Sequence, residues 1–293
     1  MIDDAILQAI DARLRTALAQ SPLRYRPLVV DDLALGLIDD ARAERLERFR
    51  DVFRVDRERV TFSDRLRDVD SRSKALADVT LGLRSEGALP GWRDERYAGK
   101  VAFDAAPAFF IERGAAHWFG IRTWAAHVNG VVGAGIRARM WIARRSADKA
   151  VDPGLLDNLV GGGISADKSV DATLVKEAWE EAGITADVAR NARPCGIVHV
   201  RCRVFDGLQR ETIFVHDLSL SNHFVPACQD GEATDHRLID LFDAARLIAN
   251  HEEPDKATVD ASIVVLDYLI RHGAIAPDQP SYEQLAALGR TVP

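Results

Sequence analysis

Gly162-Gly163-Ile164-Ser165-Ala166-Asp167-Lys168, followed after seven residues by Lys176-Glu177-Ala178-Trp179-Glu180-Glu181-Ala182-Gly183-Ile184, is the stretch on which the reading of this chain turns. The pattern predicts a helix over about Asp171 to Ala182, with Ser169 or Asp171 able to cap its start and Gly183 suited to the left-handed position after its end. Glu177, Glu180 and Glu181 then stand at i, i+3 and i+4, on one helix face. Each like-charged pair at that spacing costs roughly 0.2–0.5 kcal/mol, and a divalent cation reverses the sign. Carboxylate oxygens are hard ligands, which suit magnesium or manganese better than zinc. The glycines ahead of the helix let the backbone approach a metal and a phosphate closely. A solvated acidic helix face accounts for the three glutamates equally well.

Two other motifs fail on spacing. Gly161-Gly162-Gly163-Ile164-Ser165-Ala166 fits a dinucleotide fingerprint, but the acidic residues about 20 positions on fall inside the first helix, not after the next strand. Lys168-Ser169 lacks the glycine that a phosphate loop places before its lysine, since Asp167 stands there.

The full spacing resembles the Nudix box. That pattern is Gly, five residues, Glu, seven residues, Arg-Glu, an apolar residue, any residue, Glu-Glu, any residue, Gly, an apolar residue. Gly162, Glu177, Ala178, Glu180, Glu181, Gly183 and Ile184 fall in register. Lys168 replaces the first Glu and Lys176 the Arg; lysine keeps the arginine's charge but lacks its planar fork. The resemblance implies a magnesium-dependent hydrolase of a diphosphate linkage, with manganese able to substitute. It implies metal ligation by Glu177, Glu180, Glu181 and the carbonyl of Gly162. Glu177, Glu181 or the loop acid Glu232 would take the proton from the attacking water; a solvated turn is the alternative reading of Glu232. The two lysines leave a binding protein that has lost catalysis as a rival.

The likeness extends outward. Met140 to Ser146, Lys149, Pro153 to Gly163, Phe224-Val225-Pro226, Asp230-Gly231-Glu232, Asp267 to Gly273 and Tyr282 are similar to one Nudix subgroup with an extra N-terminal domain. That subgroup includes the Nudix part of fungal thiamine pyrophosphokinase-like proteins and related plant enzymes. It implies thiamine diphosphate, especially oxidised or deaminated forms, as substrate. A nucleoside diphosphate derivative such as ADP-ribose or a sugar nucleotide is the alternative. Arg144, Arg145 and Lys149 are candidates to hold phosphate, with a solubilising strand edge as the plain alternative for the arginines. Trp124, His127 and Asn129 are candidates to line the pocket, although a buried tryptophan packing the sheet fits equally well.

The fold expected is an α/β/α sandwich with a mixed sheet at 113–293, behind a smaller helix-rich accessory domain at 1–112. In the latter, an amphipathic helix carries Ile6, Ile10, Leu14 and Leu18. A second helix is expected over most of Leu33–Phe49, a hairpin over Val52–Phe62, and another helix over Asp70–Leu83. Strands are expected at Thr123–Val132 and Met140–Ala143, and as a pair around Phe205-Asp206-Gly207-Leu208. A last helix runs from about Ala257 to Arg271.

The composition sets outer bounds. A net charge of −7 argues against a broad nucleic-acid surface. No apolar run approaches the roughly 18 residues that a membrane span needs. Cys195, Cys202 and Cys228 form neither a metal-binding pair nor a disulfide framework. The acidic start Met1-Ile2-Asp3-Asp4 does not resemble a secretory leader, so a cytoplasmic location is the expectation.

Overall fold

A computed structural model describes residues 2–19, 21–252 and 254–293. Helix α1 (Asp4–Ala17) opens on Asp3, whose carboxylate accepts the Ala5 N–H, and buries Leu7, Ile10 and Leu14. Ile6 and Leu18 pack partly buried at the edges of that seam.

Leu33–Phe49 departs from the expected helix. Strands β1 (Tyr25–Val30) and β2 (Leu33–Asp39) pair antiparallel around Asp31-Asp32, whose φ angles are 48° and 65°. A two-residue turn of that hand matches the twist of paired strands, and it draws the first half of the stretch into the sheet. Helix α2 is left with Asp40–Leu46, capped by Asp39. Strands β3 (Phe53–Val55) and β4 (Val60–Phe62) form the expected hairpin, and α3 (Val69–Ser85) starts in a capping box of Asp68 and Ser71. The N-terminal unit is therefore a four-stranded sheet, β2-β1-β4-β3, with helices against it. A separate hairpin of β5 (Arg96–Gly99) and β6 (Phe109–Glu112) follows, then the short α4 (Ala116–Phe119).

The second half is a sandwich. Its central strand is β7 (Thr123–Val132), followed by β8 (Arg139–Arg145), β9 (Leu156–Asn158) and β10 (Val160–Gly163). Helices α5 (Val170–Ala182) and α6 (Ala186–Ala189) lead to the long pair β11 (Arg193–Val204) and β12 (Gly207–Ser219). Strand β13 (Ala233–Asp240) and helices α7 (Leu241–Ala249), α8 (Val259–Arg271) and α9 (Tyr282–Ala287) complete the chain. Among the described residues the sheet runs β11-β12-β7-β8-β13, with β9 on β8 and β10 on β7. Strand β12 lies parallel to β7 and the other pairings are antiparallel, so the sheet is mixed.

Alternation along β7 makes the two outer layers. Trp124, Ala126 and Val128 pack with Leu174 and Ala178 of α5. Ala125 belongs to the opposite core, with Ile213 and Val215 of β12 and Ile263 and Leu266 of α8. This is the period-two logic of a strand buried on both faces, and it gives the expected α/β/α sandwich. The core boundary differs from 112/113. Leu7, Ile10 and Leu14 of α1 join the α8 side of the sandwich. The N-terminal core runs on through Trp118, Phe119 and Ile121, because α4 is apolar and packs backwards.

Strands β7 and β8 pair only at Val131–Val132 against Met140–Arg139 and then diverge. The gap between them admits β9 and β10, and there the site forms.

Candidate active site

Helix α5 is fixed at both ends by its sequence. Ser169 Oγ accepts the Ala172 N–H at 3.1 Å, and Gly183 takes φ 66°. The segment before β13 docks on the helix terminus: the Gln229 N–H donates to the Glu180 carbonyl at 2.6 Å, and the Ala227 N–H to the Ala182 carbonyl at 3.0 Å. That docking brings Glu232 to the box helix.

Each of the box glutamates has its own surroundings. Glu177 folds over Gly162: a Cβ placed there would lie 2.3 Å from Glu177 Cγ, so any larger residue would displace the carboxylate. Lys176 Nζ lies 3.1 Å from Glu177 Oε1 and 2.5 Å from Glu180 Oε2. Glu181 is buried; its Oε2 accepts the Gly161 N–H at 2.8 Å, and its Oε1 lies 3.3 Å from Lys149 Nζ. Lys149 also pairs with Glu232. Burial raises the Glu177 carboxyl, against the pull of Lys176. Burial pushes Glu181 up to about 8, with Lys149 opposing.

The carboxylates expected to share one ion are thus divided between two lysines. Among the described residues, no three His, Cys, Asp or Glu groups converge on one point. The donor set still fits magnesium or manganese, being all oxygen and clustered. Each lysine ammonium supplies positive charge that a divalent ion would replace.

Glu177, Glu180, Glu232, Lys149, Lys176 and the β10 glycines line a cavity of about 360 Å³, with Glu181 buried behind them. Its floor is made by Gln209 and Glu211 of β12, Asp260 in the first turn of α8, and Asp157 of β9. Gln209 Nε2 donates to Glu211 Oε2 at 3.2 Å and to Asp260 Oδ2 at 2.9 Å. Thr123 Oγ1 donates to Glu211 Oε1 at 3.0 Å. Burial and the neighbouring Glu211 push Asp260 up to about 7. The near wall comes from the N-terminal half: Arg93, Tyr97, Arg113 and His117, with Nδ1 of His117 lying 3.0 Å from Asp206 Oδ1.

Several expected pocket residues lie elsewhere. Arg144 and Arg145 are neighbours on β8 and face opposite ways. Arg144 donates to the Gly154 and Pro254 carbonyls at 2.9 and 2.8 Å and pairs with Asp255, away from the cavity. Arg145 is the one that lines it, bonded to Asp157 at 2.8 Å. Trp124 points into the α5 core, its ring centroid 6.0 Å from that of Phe103. Asn129 shares the face of His127 but lies farther along β7, fully buried and donating to Asp217 at 3.1 Å. Lys149 and His127 line the cavity as expected. Sequence reasoning missed Tyr97, Arg113, Gln209, Glu211 and Asp260. Gln209 and Glu211 carried no usable signal, since Gln209-Arg210-Glu211-Thr212 is polar at every position and shows no alternation. Tyr97 and Arg113 carried none.

Comparison with known proteins agrees with this layout. Residues 6–123 match a domain of unknown function (DUF4743), and residues 126–261 match the NUDIX domain. Two proteins of Arabidopsis thaliana, Nudix hydrolase 24, chloroplastic, and Nudix hydrolase 20, chloroplastic, are each 36% identical to this chain over 89% of its length and 71% of theirs. A crystal structure from Deinococcus radiodurans covers 59% of this chain and 99% of its own at 21% identity, with a TM-score of 0.45.

Proposed function

The chain belongs to the Nudix hydrolase family, and from that premise we propose that it hydrolyses thiamine diphosphate, or an oxidised or deaminated form of it, to the monophosphate. The observation that carries this reading is the way charge is divided among the cavity's lining residues. On one side the cavity offers carboxylates already paired with cations, beside a glycine strand over which Glu177 and Tyr97 fold closely. Its lining also offers Glu211, Asp260 and Asp157, of which Asp157 is paired with Arg145. A diphosphate suits the first set. A cationic ring, such as the thiazolium, suits the second, because a buried acid without a matching charge is costly. ADP-ribose and sugar nucleotides bring no fixed positive charge to that floor.

Magnesium or manganese held by Glu177, Glu180, Glu181 and the Gly162 carbonyl would neutralise the diphosphate and polarise a water for attack on phosphorus. The protein's own contribution is orientation. Gly161 N–H fixes the Glu181 carboxylate, and Gly162 leaves room for that of Glu177. Lys149 holds Glu232 against the same site, where it, Glu177 or Glu181 would accept the proton from the water.

Product formation from a panel of diphosphates, with magnesium and with chelator, tests the reading. The expected kcat/KM for thiamine diphosphate or its deaminated form exceeds that for ADP-ribose by at least about tenfold, roughly 1.4 kcal/mol of transition-state binding. Equal or better turnover of ADP-ribose supports a nucleoside diphosphate substrate instead. Tight binding without turnover of any of them supports a binding protein.

A further inference from the structure

The cavity contains five cationic side chains, Arg93, Arg113, Arg145, Lys149 and Lys176, and they differ in how far the protein already uses them. Arg145 donates to Asp157 and to the carbonyls of Val151 and Asp152. Lys149 is shared between Glu181 and Glu232, and Lys176 between Glu177 and Glu180. The two remaining arginines come from the N-terminal half. Arg113 uses one amino group, donating from Nη1 to Glu95 Oε2 at 2.7 Å, and its side chain stays about one-third exposed. Among the described residues, the Arg93 guanidinium has neither a hydrogen bond nor an ion pair with the protein. Only the backbone N–H of Arg93 is engaged, donating to Glu112 at 2.8 Å.

Their position is fixed by contacts between the two halves. The Ala166 N–H, in the loop after the box glycines, donates to the Arg96 carbonyl at 2.8 Å. A Cβ at Gly163 would meet the Tyr97 hydroxyl at 1.9 Å and Arg113 Nη2 at 3.3 Å. The β5–β6 hairpin is therefore seated on the box strand itself. The Arg113 guanidinium lies over the Tyr97 ring, 5.6 Å from its centroid, which orients the plane of the fork. A guanidinium has five N–H donors and grips phosphate oxygens in pairs.

We infer that the segments flanking the β5–β6 hairpin supply the diphosphate clamp of this site: Arg113, just after β6, binds the phosphoryl oxygens directly, and Arg93, just before β5, supports it from the rim. The N-terminal domain thus completes the phosphate end of the pocket. The inference rests on the reading of the cavity as a diphosphate hydrolase site. Glu95 holds Arg113 in place through Nη1 and leaves Nε and Nη2 for the ligand.

The test uses the full-length protein with magnesium. Steady-state kinetics on thiamine diphosphate and ADP-ribose are paired with calorimetric binding of methylenediphosphonate, a diphosphate that cannot be hydrolysed. Arg113→Gln should raise KM and weaken the analogue by about tenfold or more, the scale of one lost charge-assisted hydrogen bond. Arg113→Lys, which keeps the charge without the fork, should fall between wild type and Arg113→Gln. Arg93→Gln alters an exposed side chain without protein partners and should weaken the analogue severalfold. Glu95→Gln loosens the hold on Arg113 Nη1 and should weaken the analogue, though less than Arg113→Gln does. If Arg113→Gln does not fold, Arg113→Lys and Arg93→Gln decide. Wild-type KM and wild-type analogue affinity in the folded arginine variants overturn the clamp while leaving hydrolysis intact. A wild-type protein that neither cleaves these diphosphates nor binds the analogue overturns the functional reading and the clamp together.

Discussion

The two ends of the cavity handle negative charge in opposite ways. At the box end, Glu177 and Glu180 share Lys176, and Glu181 and Glu232 share Lys149. At the floor, Glu211 and Asp260 share Gln209, a neutral amide. An ammonium draws a buried carboxylate back toward its charged form, against the effect of burial, and can be exchanged for another cation. An amide donor satisfies the hydrogen bond but leaves the charge uncompensated, so burial acts on the pKa instead. The box end is arranged for an ion that comes and goes. The floor is arranged for a ligand that brings its own positive charge or its own N–H donors.

The largest effect should follow from breaking the first arrangement. Glu180→Gln and Glu181→Gln are each expected to lower kcat by about a hundredfold or more, the scale for removing a group that stabilises charge in the transition state. Both variants should remain folded. In Glu181→Gln the new amide oxygen can still accept the Gly161 N–H, and Lys149 keeps Glu232. Exhaustive chelation should abolish turnover, and added magnesium or manganese should restore it. Losses of tenfold or less in both variants, or full activity in chelator, would place the chemistry elsewhere.

The floor controls selectivity more than rate. Glu211→Gln keeps the shape and the hydrogen bonds to Thr123 and Gln209 but removes a charge. The ratio of kcat/KM for thiamine diphosphate over ADP-ribose should then fall about tenfold, since a desolvated charge pair is worth more than a surface one. An oxidised thiamine diphosphate whose ring has become neutral should be less sensitive to this change than the cationic forms. An unchanged ratio would show that the organic end does not reach the floor.

The same contrast explains how much is legible in the sequence. The box, its helix, the Gly183 terminus and β7 are legible because each depends on local spacing. Lys149 and Glu232 are legible as charged residues near the box, although not as partners of each other. The floor is not legible, because Asp157, Gln209, Glu211 and Asp260 meet only through the mixed topology of β9, β12 and α8. Arg144 and Arg145 cannot be told apart by sequence, because side-chain alternation on β8 can be assigned only once the strand's register is known. The β1–β2 hairpin within the N-terminal sheet escapes detection because the Asp31-Asp32 turn lacks the glycine that usually marks such a turn.

A pH series separates the floor from the box by stability. Asp260 is raised to about 7 in the folded protein, above the ordinary carboxylate range. Its protonated form is the one that folding favours. The associated stability is therefore complete below the ordinary carboxylate pKa and is lost as pH climbs through about 7. Asp260→Asn cannot ionise and still accepts from Gln209. Its melting temperature should match wild type only below about pH 4, exceed it increasingly up to about pH 7, and keep that excess above it, where the buried charge is present only in wild type. A difference that stays constant across this range would mean that Asp260 does not titrate as a buried acid.

The smallest effect is expected where the chain departs most plainly from the Nudix box. Lys168 occupies the position of the first box glutamate, yet it lies in the loop ahead of α5 and outside the cavity lining. Its side chain is 45% exposed, and its nearest acid is Asp167, at 3.7 Å. An exposed pair of that length is screened by water and contributes little. The Ser165 hydroxyl already donates to Asp167 at 3.1 Å, which holds the turn without the lysine. Lys168→Glu should therefore change kcat/KM by no more than about twofold and stability by about 0.5 kcal/mol or less. The restored acid also adds negative charge beside the box, so magnesium affinity should stay level or rise. A marked rise in KM at unchanged magnesium affinity would mean that Lys168 swings in to meet the substrate. The box would then hold a third cation beside Lys149 and Lys176, and the contrast with the floor would widen.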